Sequence, residues 1–372
     1  MNGRERLMRI FQGKDVDRPA LKLWGLEVDQ EMLHPSYKPV YDLAMEVSDI
    51  MAGASSRFDI LLGQNAANKE FVSVEDKPLP GGNWIDRYTY MYLNGKKLRS
   101  IYRYSTKGEP GYEMEYPVKE PDDLTALLNA EYLPFPVDMT SYNEAMQKVG
   151  DKGIAVFYVD HAAYAVSRIM GSERFALMCI DERDLIKEAV NIFASRIRDH
   201  VKAVLDTGTA PVFGWVGPEL CIPPLVRMNE FEELVFDVDK ELCDMIHNSG
   251  GYVWVHCHGR VKNVIKRFMD MGVDVLNPLE PAPLGDISIK EAVEIVGSGM
   301  GLEGNIEISS LLLDKPERIK ELIYSAVSEG KETNRFILCP SAGYMEYVNP
   351  SPQYIDNLLL YLKYGLECIL RL

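Results

Sequence analysis

The chain has 372 residues, of which 47% are hydrophobic and 26% charged, the balance of an ordinary globular protein. Its 56 acidic and 40 basic residues give a net charge of −16, which disfavours nucleic acid and anionic membranes as partners. The six cysteines lie far apart, which is typical of free thiols in a reducing cytosol. The N-terminus does not resemble a signal peptide, and no apolar stretch approaches the roughly 18 residues of a membrane helix. We therefore expect a cytoplasmic protein.

Short apolar runs alternate with amphipathic helical stretches along the chain. This pattern predicts an α/β fold, a (β/α)₈ barrel of the TIM type, formed by residues 1–372 as a single domain. The predicted strands are Ala20–Trp24, Phe58–Leu62, Ile154–Val159, Pro211–Trp215, Tyr252–His256, Val273–Asn277, Met300–Gly304 and Phe336–Cys339.

Residues 83–118 interrupt this alternation with aromatic-rich sequence around Asn94-Gly95. Asn-Gly suits the left-handed backbone of a tight turn, so we predict an inserted β-hairpin. Its tyrosines alternate along the sequence, which predicts one aromatic face: Tyr88, Tyr90, Tyr92, Tyr102 and Tyr104. The hairpin is expected to pack on the barrel rim, and a substrate lid or a dimer contact are the alternatives.

The segment His256-Cys257-His258-Gly259 joins a buried strand to a helix. Alternate side chains of an extended strand share a face, so both histidines are expected at the carboxyl end of the barrel, where active sites of this fold lie. Two imidazoles so placed can bind one divalent metal, typically zinc. A catalytic zinc needs a third ligand, and Cys339 or Glu219 could supply it. A thiolate would favour zinc, whereas a carboxylate leaves other divalent metals open.

Polar residues follow several of the other predicted strands. Each one taken alone is more often structural, but their convergence on one rim predicts a polar substrate pocket. We predict catalytic roles for Glu219, Asp160 and Tyr164, and substrate contacts for His161, Asn277, Glu280, Glu303, Asn305 and Tyr344. Glu346, in the same loop as Tyr344, could also reach the site.

Several segments, in the same order along nearly the whole chain, resemble the uroporphyrinogen decarboxylase superfamily. They are Arg4-Glu5-Arg6, Asp17-Arg18-Pro19, Gly217-Pro218-Glu219, His256–Gly259, Met271–Pro278, Gly304-Asn305-Ile306 and Phe336-Ile337-Leu338. The resemblance implies a distorted (β/α)₈ barrel with its site at the carboxyl end. Function within the superfamily does not follow from the fold.

Two departures separate this chain from true uroporphyrinogen decarboxylases, which are cofactor-independent. Those enzymes grip an acidic tetrapyrrole with an R-Q-A-G-R motif, but here the residues after Arg18-Pro19 read Ala-Leu-Lys-Leu-Trp-Gly-Leu-Glu, without arginine. They also carry a G-H-G motif after the last strand, where this chain has Pro340–Gly343. Both changes remove groups that would bind a polycarboxylate.

The other branch of the superfamily consists of corrinoid-dependent methyltransferases, whose zinc motif is H-x-C with a later cysteine. His256 falls on the motif's histidine and His258 on its first cysteine, while Ala342 stands at the later cysteine and Cys339 lies three residues earlier. The resemblance implies transfer of a methyl group from a small methylated substrate, with metal Lewis-acid assistance, to cobalamin bound by a partner corrinoid protein.

Two alternatives to methyl transfer stay open. One is a lyase, either a decarboxylase of a uroporphyrinogen-type substrate or another lyase or hydrolase on the same scaffold. The other is a catalytically inactive barrel that acts as a binding protein. Because relatives of this superfamily commonly dimerise, a homodimer is a further expectation.

Overall fold

Strands and helices alternate along the chain. The computed structural model describes residues 1–345 and 347–371. Within these residues the strands are β1 (Ala20–Leu21), β2 (Ile50–Ala54), β3 (Val72–Pro78), β4 (Trp84–Leu93), β5 (Lys96–Ser105), β6 (Tyr112–Glu115), β7 (Gly153–Tyr158), β8 (Val212–Val216), β9 (Tyr252–His256), β10 (Val275–Leu279), β11 (Gly301–Ile306) and β12 (Phe336–Pro340). The α-helices are α1 (Gly3–Phe11), α2 (Lys38–Val47), α3 (Pro121–Leu128), α4 (Thr140–Val149), α5 (Ala162–Arg168), α6 (Ser172–Asp181), α7 (Arg183–Leu205), α8 (Met228–Phe231), α9 (Asp237–Asn248), α10 (Ile265–Met271), α11 (Ile289–Val296), α12 (Ile308–Leu313), α13 (Pro316–Gly330) and α14 (Pro352–Arg371). None of these described helices is long and apolar enough to cross a membrane.

Eight of the strands form one curled parallel sheet. Their spatial order is β1-β12-β11-β10-β9-β8-β7-β2, so β1 and β2 are the two ends of the sheet. Asp49, just before β2, brings these ends together: its N–H donates to the carbonyl oxygen of Leu21 at 2.7 Å, and its carboxylate accepts the Leu21 N–H at 3.0 Å. The predicted parallel α/β architecture is confirmed as a curled eight-stranded sheet, a form compatible with a TIM-type barrel.

The second strand of this sheet lies earlier in the sequence than predicted. The structure places β2 at Ile50–Ala54, paired with β7, whereas the predicted strand Phe58–Leu62 is a turn. Asp59 causes the difference, because its carboxylate accepts the backbone N–H groups of Leu61, Leu62 and Gly63 at 2.7–3.2 Å. Such a side-chain acceptor stabilises a turn in competition with strand pairing.

Helix α1 covers the amino-terminal end of the curled sheet. Its Leu7, Ile10 and Phe11 are buried in the same cluster as inward-facing strand residues such as Trp254. Arg335, just before β12, donates to the carbonyl oxygens of Ile10 and Phe11 at 2.8 and 3.1 Å, which fixes the end of the helix. A ligand therefore reaches the inward-facing residues from the carboxyl ends of the strands.

The segment that interrupts the parallel sheet is a four-stranded antiparallel sheet. Strands β3, β4, β5 and β6 pair in sequence order, so the sheet extends beyond the two strands predicted around the Asn94-Gly95 turn. Asn94 and Gly95 have positive φ angles of 48° and 82°, as a tight two-residue turn requires.

The tyrosines of this sheet occupy both of its faces. Tyr88 pairs with Ile101, whereas Tyr102 pairs with Arg87, one position out of phase. Directly opposed residues share a face, so Tyr102 and Tyr104 lie on the face opposite to Tyr88. The prediction of one common aromatic face was therefore wrong, because the pairing register decides it and the sequence period alone does not.

Candidate functional site

Two histidines lie together at the carboxyl end of β9. The ring centroids of His256 and His258 are 4.4 Å apart, with the ring planes nearly perpendicular. Cys257 between them is fully buried in the outer core that contains the helices. The alternation of an extended strand thus separates the two imidazoles from the thiol, as the sequence predicts.

His256 is a neutral imidazole held in a fixed tautomer. Its ring stacks on Trp24 at 4.7 Å, and its Nδ1 lies 2.5 Å from Asn277 Oδ1. An amide oxygen accepts only, so Nδ1 carries the hydrogen and Nε2 keeps a lone pair. Burial, aided by the His258 ring and the Lys22 cation, lowers the pKa of His256 to about 3. The ring is therefore neutral near pH 7 and presents the lone pair of Nε2.

His258 is oriented by a buried carboxylate. Its Nδ1 donates to Glu280 Oε1 at 3.0 Å, and the other oxygen of Glu280 accepts the Gly259 N–H at 2.9 Å. Burial raises the pKa of Glu280, but these two hydrogen bonds outweigh it and hold the pKa below its ordinary value. The carboxylate stays ionised and fixes both the ring and the turn that follows it.

Glu219 brings a second carboxyl group to His258. It lies in the turn Pro218–Cys221 after β8, and burial raises its pKa, although the nearby His258 and His161 oppose the shift. Its Oε2 is buried and, among the described residues, has no hydrogen-bond partner. Protonation makes such an uncompensated oxygen less costly to bury. Burial therefore shifts Glu219 toward its protonated form beside His258, while the backbone N–H groups of Glu219 and His258 act in the opposite sense.

The donors do not assemble into the three-ligand set of a catalytic zinc. Among residues 1–345 and 347–371, no three His, Cys, Asp or Glu side chains are grouped so that they could hold a metal ion. His256 and His258 offer two imidazoles, but the buried Cys339 thiol interacts with Glu303 and Lys22 instead. Metal binding by these residues stays a prediction; of the two predicted third ligands, Glu219 is the one that interacts with His258.

A buried ion pair lies beneath the histidines. Lys22 Nζ contacts Glu303 Oε1 at 2.7 Å, and Trp254 Nε1 donates to the other oxygen of Glu303 at 2.9 Å. The ammonium also lies 4.5 and 5.0 Å from the ring centroids of Trp24 and Trp254. Burial lowers the pKa of Lys22, but the Glu303 carboxylate outweighs it and keeps the amine charged. The predicted substrate ligand Glu303 is therefore fully engaged inside the protein.

Asp160 and Tyr164 line a separate cavity of about 480 Å³ between the antiparallel sheet and α5. Tyr164 also packs on Gly217, because a Cβ built there would lie 2.2 Å from the Tyr164 ring. The turn that carries Glu219 therefore begins beside a residue of the cavity wall.

The remaining predicted site residues occupy different surroundings. His161 caps α5 through Nδ1 and pairs with Asp239 through Nε2 at 3.0 Å, in a geometry that is not a hydrogen bond. Tyr344 is fully buried and donates to Gln30 at 2.8 Å, so it packs in the core without facing solvent. Asn305 lies two residues after Glu303 on β11 and is partly exposed. Glu346 lies outside the described residues.

Sequence reasoning missed four residues at the carboxyl end of the sheet: Lys22, Trp24, Glu27 and Tyr158. Burial raises the pKa of Tyr158 to about 12 and also raises that of Glu27, whose carboxylate accepts the Gly53 N–H at 2.7 Å. Lysine in an otherwise apolar run was the available signal for Lys22. Tyr158 lies two residues after Val156 on the same strand, so its side chain is expected on the same inward face. Glu27 lies outside the predicted strands and helices, so no periodic pattern pointed to it.

Comparisons with known proteins identify a family and a similar fold. The family model described as uroporphyrinogen decarboxylase (URO-D) matches residues 113–352, which include the histidine pair, Glu219 and Glu280. A structure of a methyltransferase from Methanosarcina mazei is similar over 98% of both chains, with a TM-score of 0.61 and 15% sequence identity. No curated protein matches significantly. At this identity the structural similarity concerns the fold.

Proposed function

This chain belongs to the uroporphyrinogen decarboxylase family, and we propose from this membership that it is an enzyme of the methyltransferase branch. In this proposal it transfers a methyl group from a small methylated substrate to a reduced corrinoid, which a separate partner protein carries. The fold shared with a methyltransferase over nearly the full length supports the proposal.

The observation that carries the proposal is the buried Glu219 Oε2, which has no hydrogen-bond partner among the described residues and lies beside His258. When a methyl group leaves an oxygen or sulfur atom, the electron pair of the broken bond stays on that atom. A positioned acid that gives this atom a proton stabilises the charge that develops. Glu219 in its acid form supplies that proton, and the leaving group departs as an alcohol or a thiol.

The neighbouring groups orient this proton donor. Glu280 fixes the His258 ring, and Asn277 fixes the tautomer of His256, so both rings lie in set orientations, and His258 interacts with Glu219. Because α1 covers the amino-terminal end, the acceptor protein would approach from the carboxyl ends of the strands. A divalent metal such as zinc would supply Lewis-acid stabilisation of the same leaving atom if a third ligand joined the two histidines.

Decarboxylation of a polycarboxylate is the alternative that the family name suggests, but the charges of the described site disfavour it. Lys22 is neutralised by Glu303, and the large cavity combines Arg168 with the carboxyl groups of Asp59, Glu113 and Asp160. A substrate with several carboxylates would meet repulsion in this cavity.

The proposal is tested by incubating the purified protein with cob(I)alamin and a panel of small methyl ethers and thioethers. Formation of methylcobalamin is followed by its absorbance. We expect Glu219→Gln, which keeps the shape but not the proton, to lower the rate by about 100-fold or more. Cys257→Ala is the matched control, because this thiol lies in the same segment but faces the outer core, and its rate should be unchanged.

Three outcomes would contradict the proposal. They are no methylcobalamin from any donor, an unchanged rate in Glu219→Gln, or release of carbon dioxide from uroporphyrinogen. Metal analysis of the wild type, His256→Ala and His258→Ala addresses the Lewis-acid contribution separately. A stoichiometric metal that both variants lose would support that contribution, and a metal-free active protein would remove it.

A further inference from the structure

The cavity beside Tyr164 has the size and the walls of a small-molecule site. Its volume of about 480 Å³ falls in the usual range for such pockets, roughly 300–1,000 Å³. One side is formed by α5 and the end of β7, and the other by residues of the antiparallel sheet such as Thr89 and Met91. A ligand in it would thus contact both the barrel and the sheet.

Most of the cavity wall is apolar, with aromatic rings on the barrel side. Ile60, Leu62 and Met91 contribute aliphatic and thioether surface, while Phe58 and Tyr164 contribute rings. Apolar and aromatic surface of this kind favours a ligand with alkyl groups. The guanidinium of Arg168 lies 5.8 Å from the centroid of the Tyr164 ring, within the range of a cation–π contact.

The charged groups in the same wall favour a positive ligand. Asp160 stands at the end of β7 and Glu113 on β6, on opposite sides of the cavity, and Asp59 is a third carboxyl group. Both Asp160 and Glu113 are attracted electrostatically by Arg168 in the same wall, so one guanidinium stands against three carboxyl groups. Arg168 is the one basic side chain among the described lining residues, apart from the capping histidine His161.

We propose that this cavity binds the positively charged part of the substrate, an ammonium group with apolar substituents. The carboxyl groups of Asp160 and Glu113 attract the charge from two sides, and the Tyr164 ring and the aliphatic wall contact the substituents. That the cavity binds a cation does not depend on the proposed function. That this cation is the methyl donor does rest on the proposed function.

The position of Tyr164 orients such a substrate toward the acid. Its ring packs on the backbone of Gly217, two residues before Glu219. In this proposal the ammonium group is held in the cavity, and the methyl-bearing oxygen or sulfur is directed toward the side of Tyr164 on which the Glu219 turn lies. The ammonium group is the anchor and not the leaving group, because an amine that leaves a quaternary nitrogen is neutral and needs no proton.

Titration calorimetry with choline tests the binding step without any methyl transfer. The neutral isostere 3,3-dimethylbutan-1-ol has the same shape as choline but no charge. We expect the protein to bind choline at least about tenfold more tightly than this alcohol. Asp160→Asn and Glu113→Gln should each weaken choline binding by about tenfold. Glu75→Gln is the control with the same change of charge, on the other face of β3, and it should bind choline as the wild type does.

The result that overturns the inference is equal binding of choline and the alcohol, no choline binding, or wild-type affinity in both carboxyl variants. Asp160 and Glu113 lie on different elements, so if one variant fails to fold, the other still decides. Choline binding without methyl transfer would support the cavity as a cation site and contradict the proposed function. Methylcobalamin formation by a protein that does not bind choline would support the proposed function and contradict the cation site.

Discussion

The buried pair of Lys22 and Glu303 makes a quantitative prediction about stability. Lys22→Met removes the ammonium and keeps a side chain of similar length. The Glu303 carboxylate is then left fully buried, with Trp254 Nε1–H as its remaining strong donor. An ion removed from water without its counter-ion is strongly destabilising, so the cost comes mainly from the orphaned carboxylate.

The magnitude follows from the contact distance. At 2.7 Å and an effective dielectric constant of 20, the attraction between unit charges is about 6 kcal/mol. In proteins generally, breaking a buried ion pair costs about 3–5 kcal/mol. This is less than the full attraction because the surroundings of the orphaned group partly relax. We expect Lys22→Met to lower the free energy of unfolding by this amount. The double variant Lys22→Met/Glu303→Gln should recover about half of the loss, since the amide is uncharged and still accepts from Trp254.

Urea denaturation followed by far-ultraviolet circular dichroism measures these differences. Lys240→Met is the matched control, because Lys240 and Asp244 also form an ion pair, at 2.9 Å, but on the surface. An exposed pair contributes about 0–1 kcal/mol, so this control should unfold nearly as the wild type does. Equal effects of Lys22→Met and Lys240→Met would refute the reasoning, and so would strictly additive effects in the double variant.

Two further predictions concern the site itself. His256 titrates near pH 6.5 when unfolded and near 3 when folded, so its contribution to stability is present above pH 6.5 and is lost as the pH falls toward 3. Between pH 7 and pH 5 the wild type should lose about 2 kcal/mol more than His256→Gln in denaturation experiments, and equal losses would contradict the assigned pKa. Gly217→Ala should destabilise the protein by about 1–3 kcal/mol more than Gly208→Ala, because both have positive φ but only the first Cβ would overlap Tyr164. Thermal unfolding of the two variants compares them, and matching midpoints would show that the Tyr164 contact is not tight.

Local periodicity in the sequence predicted much of the fold. Seven of the eight predicted strands coincide with or overlap strands of the curled sheet, because buried parallel strands appear as short apolar runs. The failure at Phe58–Leu62 has a local cause, since Asp59 competes for the backbone N–H groups there. The small residues of Ile50–Ala54 gave a weaker apolar signal than that turn.

The sequence by itself also determined the shared face of His256 and His258 and the opposite face of Cys257, because a strand alternates every residue wherever it lies. Only the tertiary structure decided what these rings contact. Lys22 and Glu303 lie 281 positions apart, and the Tyr164 contact with Gly217 depends on how β7 and β8 are neighbours in the sheet. Local rules fix the direction of a side chain, but the partners of a buried charge or an acid are set by which strands the curled sheet brings side by side. For that reason the paired histidines could be read from one segment, whereas the cavity and the surroundings of Glu219 emerged from contacts between distant segments.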